Sequence, residues 1–258
     1  MGSTIVWGLK RSGIHLIVNW LYANLGATVK DELAATDLPR QLQDGFRDPA
    51  AGVAYFNNCG WLYSRQLGLG PLTAADLERA AAGQPTTIFG LEDCALRWSS
   101  MTASVPDQRN VLLLRDPLNN LASRLEGSTT MPGQLRTDEA FLDLYAEYAT
   151  EVLGRTAHLS HRTVVSFNRF VVDPGYRDGI AEQLGVPNRD EVSEVSPYGG
   201  GSSFSSGSVP SSPDSLMTRY QQRPLPPRLV EMLLARPVIA EVCETVFGYD
   251  LARLAGAR

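Results

Sequence analysis

The segment at residues 8–13 combines two glycines with two cationic side chains in a spacing that suits phosphate binding. It has the glycine spacing of a P-loop, whose backbone N–H groups and following helix N-terminus attract anions. Lys10 and Arg11 lie inside the loop. Ile14 and His15 stand where a Walker motif has its lysine and its magnesium-binding hydroxyl. The pattern therefore predicts a phosphate loop with its own cations rather than a Walker-type ATPase or kinase; the alternative is a basic surface turn without a ligand.

An arginine and a serine further along the chain could hold a second phosphate. Arg115 follows an apolar run that predicts a strand, and Ser123 comes eight residues later on a predicted helix. A guanidinium fork can bind a phosphate bidentately, and a hydroxyl about one turn into the helix adds a further donor. In the alternative interpretation, Arg115 pairs with Asp116 or another carboxylate at the end of the sheet, and Ser123 is an ordinary helix residue.

These two segments belong to a chain in which strands alternate with helices. Continuous apolar runs at 86–91 and 110–114 are typical of parallel strands covered on both faces. The sequence predicts an α/β fold: a single domain of residues 1–258, with a mainly parallel sheet flanked by helices, like the P-loop nucleotide hydrolases. Further strands are predicted at 4–7, 53–56 and 164–167, and helices at 14–25, 73–82 (with Thr73 as the N-cap), 119–126, 137–154, 176–184 and 228–247, the last with a break at Pro237.

Length and composition exclude several classes of protein. The 258 residues are 43% hydrophobic, which is enough to form a core without disulfides. Cys59, Cys94 and Cys243 are too few and too scattered for a disulfide scaffold or a recognisable zinc site, and they suit a reducing compartment. A net charge of -5 argues against a nucleic-acid-binding protein, and no apolar run reaches the roughly 20 residues that span a bilayer. We therefore expect a cytoplasmic protein with no nucleic-acid and no membrane partner.

The stretch Lys10-Arg11-Ser12-Gly13-Ile14-His15 resembles the Pro-Lys-Ser-Gly-Thr-Thr or Pro-Arg-Ser-Gly-Thr-Thr loop of sulfotransferases that use 3′-phosphoadenosine 5′-phosphosulfate (PAPS). The resemblance implies that this stretch holds the 5′ side of the donor. It places Arg11 at the family's catalytic lysine or arginine, beside the bridging oxygen and the phosphosulfate. Ile14 and His15 replace the family's two hydroxyl donors, which leaves backbone amides and the His15 imidazole to contact that group.

Three further parts of the chain match the same family. Arg115 and Ser123 reproduce the residue types, spacing and strand–helix context of its 3′-phosphate site. Residues 165–174 resemble its later strand and turn, which places Phe167 at the adenine contact; a core aromatic is the equal alternative. The glycine- and serine-rich loop at residues 199–213, expected to be flexible, matches a late loop of the family but lacks its basic start. Its amides could still cradle phosphate, and the residues assigned to that role are Gly200, Gly201 and Ser202.

Transfer of a sulfuryl group to a hydroxyl or amine needs a group that accepts the proton. The family uses a histidine or a carboxylate at the end of the strand before the Arg-Asp-Pro strand, and Glu92 and Asp93 occupy that place here. One of these two carboxylates is the expected base. In the alternative, they cap the following turn or pair with Arg97. His15 is the next candidate for the base.

We interpret the sequence as that of a PAPS-dependent sulfotransferase that releases adenosine 3′,5′-bisphosphate (PAP). No metal ion is expected, because a transferring sulfuryl group carries less charge than a γ-phosphoryl group and the cations of Lys10 and Arg11 can support the leaving phosphate. The acceptor is expected to be a small molecule, selected by the poorly matched residues 27–85. The alternatives are a divergent P-loop kinase or ATPase, and a non-catalytic module that binds adenosine phosphates.

Overall fold

The sheet that carries both motifs is seven strands wide in the part of the chain that the structure describes. The structure is a computed structural model and describes residues 2–27, 31–32, 44–58, 73–82, 85–102, 105, 107–127, 139–189 and 216–256. The strands are β1 (Ser3–Gly8), β2 (Asp31–Glu32), β3 (Asp44–Asp48), β4 (Val53–Asn58), β5 (Thr86–Glu92), β6 (Arg109–Leu114) and β7 (Arg162–Ser166).

Strand β1 lies between β5 and β6, with the order β2-β3-β4-β5-β1-β6-β7 across the sheet. The five neighbouring strands β4, β5, β1, β6 and β7 run parallel. Strands β2 and β3 add an antiparallel edge. Because parallel neighbours end at the same edge of a sheet, the residues that follow β1, β5 and β6 lie close together, where α/β proteins bind their ligands. The predicted α/β fold with a mainly parallel sheet is confirmed.

Apolar side chains cover both faces of this sheet. Trp7 and Leu91 belong to the core on one face, whereas Val6, next to Trp7 in β1, and Ile88, three residues before Leu91 in β5, belong to the core on the other. The helices around the sheet are α1 (Ile14–Asn24), α2 (Ala74–Ala81), α3 (Pro117–Gly127), α4 (Glu139–Val152), α5 (Phe167–Val172), α6 (Pro174–Leu184), α7 (Arg219–Gln222), α8 (Pro227–Leu234), α9 (Pro237–Thr245) and α10 (Leu251–Gly256), together with a 3-10 helix at Leu96–Thr102.

Local sequence signals determine several helix ends. Thr73 caps α2 through a capping box, in which its hydroxyl accepts a hydrogen bond from the Asp76 N–H and the Asp76 carboxylate accepts one from the Thr73 N–H. Helix α6 ends at Leu184, and the following C-cap residue, Gly185, has the left-handed φ of 59° that favours glycine. The break predicted at Pro237 separates α8 from α9.

The structure differs from the predicted elements at places that bear on the site. Helix α3 begins at Pro117 rather than Asn119, because the Asp116 carboxylate accepts a hydrogen bond from the Asn119 N–H at 2.9 Å and caps the helix. Phe167 is the first residue of α5 and not the last of a strand. The edge strands β2 and β3 lie where no element is predicted.

Some expectations fall partly or wholly outside the described residues. The glycine- and serine-rich loop at residues 199–213 lies outside them, and the region 27–85 is described only at 27, 31–32, 44–58, 73–82 and 85. In the ranges that the structure covers, no helix is both long and apolar enough to cross a membrane.

Candidate active site

The loop between β1 and α1 has the form of an anion-binding turn. The Ser12 N–H donates to the carbonyl of Leu9 at 2.9 Å, and Arg11 and Gly13 both take left-handed conformations, with φ of 68° and 95°. Helix α1 then begins at Ile14. The first N–H groups of a helix have no acceptor in a preceding helical turn, and such a helix N-terminus attracts an anion.

Gly13 is a position in this loop that admits no side chain. Its φ of 95° lies in the left-handed region, and a Cβ there would be 2.1 Å from the Phe167 ring. We expect Gly13→Ala to deform the loop and to raise the Kd for PAP about tenfold or more, measured by isothermal titration calorimetry. Gly179→Ala is the matched control, because a Cβ at this helical glycine meets nothing within 4 Å. An unchanged Kd for Gly13→Ala would contradict the role of the loop conformation.

Arg115 is buried directly behind the loop. Its side chain is 2% exposed, and its two terminal nitrogens donate to the carbonyls of Arg11 at 3.2 Å and Leu216 at 2.6 Å. The guanidinium also lies 4.9 Å from the centre of the Phe167 ring. Burial lowers the pKa of Arg115 to about 10, so the group is charged at neutral pH. The two predicted phosphate motifs are therefore in direct contact.

The hydrogen bonds of Asp116 go to amides rather than to Arg115, so the alternative pairing of Arg115 with Asp116 is wrong. The Asp116 carboxylate accepts from the side-chain amides of Asn119 and Asn168 at 3.0 Å.

Two buried donors at the loop, Ser12 Oγ and Arg115 Nε, have no hydrogen-bond partner among the described residues. Leaving a buried donor unpaired costs about 1–3 kcal/mol. Donors of this kind fit an anionic ligand that would satisfy them.

The structure adds an arginine, Arg219, that belongs to neither of the predicted phosphate motifs. Arg219 is 5% exposed and donates to the hydroxyl of Ser123 at 3.4 Å. It lies there because Asn119 joins α3 to the start of α7: the Asn119 amide donates to the Met217 carbonyl at 2.8 Å, and its oxygen accepts from the Tyr220 N–H at 3.2 Å. The one signal in the sequence is that Arg219 is the first arginine after the glycine- and serine-rich segment.

Glu92 ends β5 beside the loop. It lies opposite Gly8 in the register with β1 and is 4% exposed. Burial is the main cause that raises the pKa of Glu92 to about 7; the neighbouring charges of Lys10 and Arg11 oppose that rise, and Asp93 adds to it. A carboxylate whose pKa is near neutrality has the property expected of a general base.

Asp93, the other candidate base, forms a buried ion pair. Its two carboxylate oxygens accept hydrogen bonds from the Arg124 guanidinium at 3.1 and 3.0 Å. This pairing occupies Asp93 and favours Glu92 as the base. The alternative partner Arg97 is wrong for Asp93, because the Arg97 N–H donates to the Glu147 carboxylate at 3.1 Å and its side chain forms an ion pair with the same group.

His15 lies in the first turn of α1, with its imidazole edge-on to the Tyr55 ring and the two centres 6.5 Å apart. Burial lowers the pKa of His15 to about 4, assisted by the charges of Arg11 and Lys10. The imidazole is therefore neutral at pH 7 and can donate a hydrogen bond. With so low a pKa it is a weaker candidate for the base than Glu92.

The remaining candidate residues are Phe167 and the three residues assigned from the glycine- and serine-rich loop. The Phe167 ring packs against Gly13 and Arg115, and its contact with adenine stays a prediction. Gly200, Gly201 and Ser202 lie outside the described residues. Among the residues that are described, no three His, Cys, Asp or Glu side chains lie together in a way that could hold a metal ion.

Comparison with known proteins gives a relation in structure alone. The sequence matches no protein-family model and no curated protein. The sulfotransferase domain of the Synechococcus PCC 7002 olefin synthase is similar with a TM-score of 0.52 at 15% identity, over 96% of this chain and 94% of that domain. The sulfotransferase domain from the curacin biosynthetic pathway gives a TM-score of 0.43 at 14% identity, over 90% and 97% of the two chains. The protein therefore has the fold of a sulfotransferase domain.

Proposed function

We propose that the protein is a sulfotransferase that moves a sulfuryl group from PAPS to a hydroxyl or amine of a small molecule. The observation that carries the proposal is the contact between Arg115 and the carbonyl of Arg11, which joins a phosphate loop to a second cationic site at one edge of the sheet. A nucleotide with phosphates at both its 5′ and 3′ positions is the ligand chemistry that such a pair of sites fits.

The residues beside the loop fit this donor. On the 5′ side, we assign Lys10, Arg11 and the backbone of residues 12–15, with the neutral His15 as a hydrogen-bond donor. On the 3′ side, we assign three side chains: Arg115 behind the loop, Ser123 on α3 and Arg219 on α7. The unpaired donors Ser12 Oγ and Arg115 Nε support the assignment, because each would gain an acceptor from a bound phosphate.

In the proposed reaction, PAPS supplies the sulfuryl group and a phosphate leaving group. The acceptor oxygen or nitrogen forms a bond to sulfur as the bond from sulfur to the bridging oxygen breaks, and PAP leaves. Glu92 accepts the proton of the acceptor, since its carboxylate is nearly buried and its pKa is about 7. Lys10 and Arg11 stabilise the negative charge that develops on the departing phosphate.

Two features support the preferred function over its alternatives. A P-loop kinase or ATPase would need the lysine and hydroxyl that Ile14 and His15 replace. A module that only binds adenosine phosphates would have no use for a carboxylate of raised pKa beside the phosphate loop.

We place the activity in the cytoplasm, which the free thiols of the buried Cys94 and Cys243 support.

PAP is expected to raise the melting temperature of the protein without added metal, because a ligand that binds only the folded state stabilises it by mass action. At 100 times its Kd the gain is about 2.7 kcal/mol. AMP lacks the 3′-phosphate that Arg115, Ser123 and Arg219 would hold, and it should raise the melting temperature much less at the same concentration. The measurement is thermal denaturation with PAP, AMP or ATP with Mg²⁺.

Two outcomes of this screen would count against the proposal. Equal shifts with PAP and AMP would remove the 3′-phosphate site. A shift with ATP and Mg²⁺ that exceeds the shift with PAP would favour the kinase or ATPase alternative.

A further inference from the structure

A buried ion pair lies behind the phosphate loop, and the proposed chemistry does not use it. The side chains of Arg124 and Asp93 are 0% and 3% exposed, and they are joined by two hydrogen bonds of 3.0–3.1 Å. The Arg124 guanidinium also lies 4.0 Å from the centre of the Phe141 ring. The hydrogen bonds to the Asp93 carboxylate and the contact with the Phe141 ring together hold the guanidinium in one orientation.

Both members of the pair bind the main chain of one loop residue. Asp93 Oδ1 accepts a hydrogen bond from the Lys10 N–H at 2.9 Å, and the Arg124 guanidinium donates to the Lys10 carbonyl at 3.0 Å. The Asn120 side-chain amide donates to the same carbonyl at 3.3 Å. The N–H and the C=O of Lys10 are therefore both held from the protein side of the loop.

The turn after β5 brings Asp93 to this place. Asp93 has a left-handed φ of 53°, and its N–H donates to the carbonyl of Gly8 at 3.0 Å. A non-glycine residue in that region is uncommon, and its strain persists only where the surrounding structure holds it. The Asp93 carboxylate is thus directed back along the loop that follows Gly8.

Stability alone does not explain an ion pair in this position. Removing two charges from water is costly, and well-packed apolar residues of similar volume often stabilise a protein equally well or better. An apolar pair, however, could not bind the Lys10 main chain. The Lys10 carbonyl is bound by Arg124, and the next carbonyl, of Arg11, is bound by Arg115. Two successive carbonyls are thus engaged by guanidinium groups behind the loop, which leaves neither directed at an incoming anion.

We propose that Asp93 and Arg124 are positioning residues for the 5′-phosphate end of the donor: by fixing the main chain of Lys10, they keep the loop in the conformation that binds phosphate. This inference rests on the proposed function, because it assigns the 5′ end of PAPS to the loop. It makes Asp93 a part of the loop's support and leaves the proton transfer to Glu92.

The test compares the affinities for PAP and for adenosine 3′-monophosphate, measured by isothermal titration calorimetry. The Kd for adenosine 3′-monophosphate divided by the Kd for PAP reports what the 5′-phosphate contributes to binding. In Arg124→Lys, which keeps the charge but loses the fork, we expect this ratio to fall about tenfold, the loss typical when a hydrogen bond to a charged group is broken. General loosening of the fold would weaken both ligands and leave the ratio unchanged.

Two further variants complete the test. Arg124→Met leaves Asp93 buried without its partner and can prevent folding, so the double variant Asp93→Asn with Arg124→Met removes both charges together, and the same fall in the ratio is expected. Arg177→Lys is the matched control. Arg177 is also buried, donates to a main-chain carbonyl, that of Phe170, at 2.7 Å, and lies 6.0 Å from the Phe170 ring, which belongs to α5 and not to the phosphate loop. Its ratio should equal that of the wild type.

The outcomes separate this inference from the proposed function. If the wild-type protein binds no PAP, the proposed function fails and the inference fails with it. If the wild type binds PAP and the ratio is unchanged in both Arg124→Lys and the double variant, the proposed function stands and the positioning role is refuted.

Discussion

Glu92→Gln is expected to lower kcat by roughly 10²–10⁴-fold, the usual contribution of a general base, while the Kd for PAP changes little. Glutamine keeps the size and a polar end but cannot accept the proton at neutral pH. The measurement is transfer of labelled sulfuryl from PAPS to an acceptor that supports the wild-type rate, with PAP binding measured in parallel. Loss of binding together with loss of rate would show a structural role for Glu92.

The pH dependence gives a second measurement of the same residue. The base must be deprotonated, and the pKa of Glu92 is raised to about 7. In the wild type, log(kcat/KM) should therefore rise with pH below about 7 with a slope near one and level off above it. In Glu92→Gln this rise should disappear. A rise that persists in the variant would move the base to another group, with His15 as the next residue to test.

Arg115→Ala is expected to weaken PAP binding by about 1.5–3 kcal/mol, which is roughly 10- to 150-fold in Kd. The effect is large because this one guanidinium would bind the 3′-phosphate and also holds the carbonyls of Arg11 and Leu216. Its loss should therefore disturb both phosphate sites. Calorimetric titration with PAP and with AMP measures the two contributions, and AMP binding should also weaken, though less.

The matched control for this prediction is at the other end of the same strand. Arg109 begins β6 and donates to the carbonyl of Leu184, far along the strand from the phosphate loop. Arg109→Ala should lower the melting temperature without changing the Kd for PAP. If Arg115→Ala binds PAP within twofold of the wild type, Arg115 is not a phosphate ligand.

The parts of the fold that could be predicted from sequence are those with local signals. Continuous apolar runs mark β5 and β6, and the capping residue Thr73 and the glycine at 185 mark helix ends. Strands β2 and β3 could not be predicted, because an antiparallel edge is defined by its pairing with β4 rather than by its own pattern.

The candidate site shows the same division. Arg115 could be identified from its place at the end of a strand, because that position is visible in the sequence. The choice between Glu92 and Asp93 could not be made, since it depends on Arg124, which is remote in sequence and reaches Asp93 only in the folded protein. Arg219 was missed for the same reason: its contact with Ser123 depends on the docking of α7 on α3.

The central position of β1 has a consequence for synthesis of the protein on the ribosome. Ser3 pairs with Thr87 of β5, and Thr4 with Arg109 of β6, so an apolar strand emerges long before either of its neighbours. At about 5–20 residues per second, the delay until β5 appears is on the order of 4–17 s. During this time the nascent chain exposes Ile5, Val6 and Trp7, all of them fully buried in the folded protein. The central place of β1 therefore delays the burial of its apolar side chains, and slower translation before β5 would lengthen their exposure to solvent.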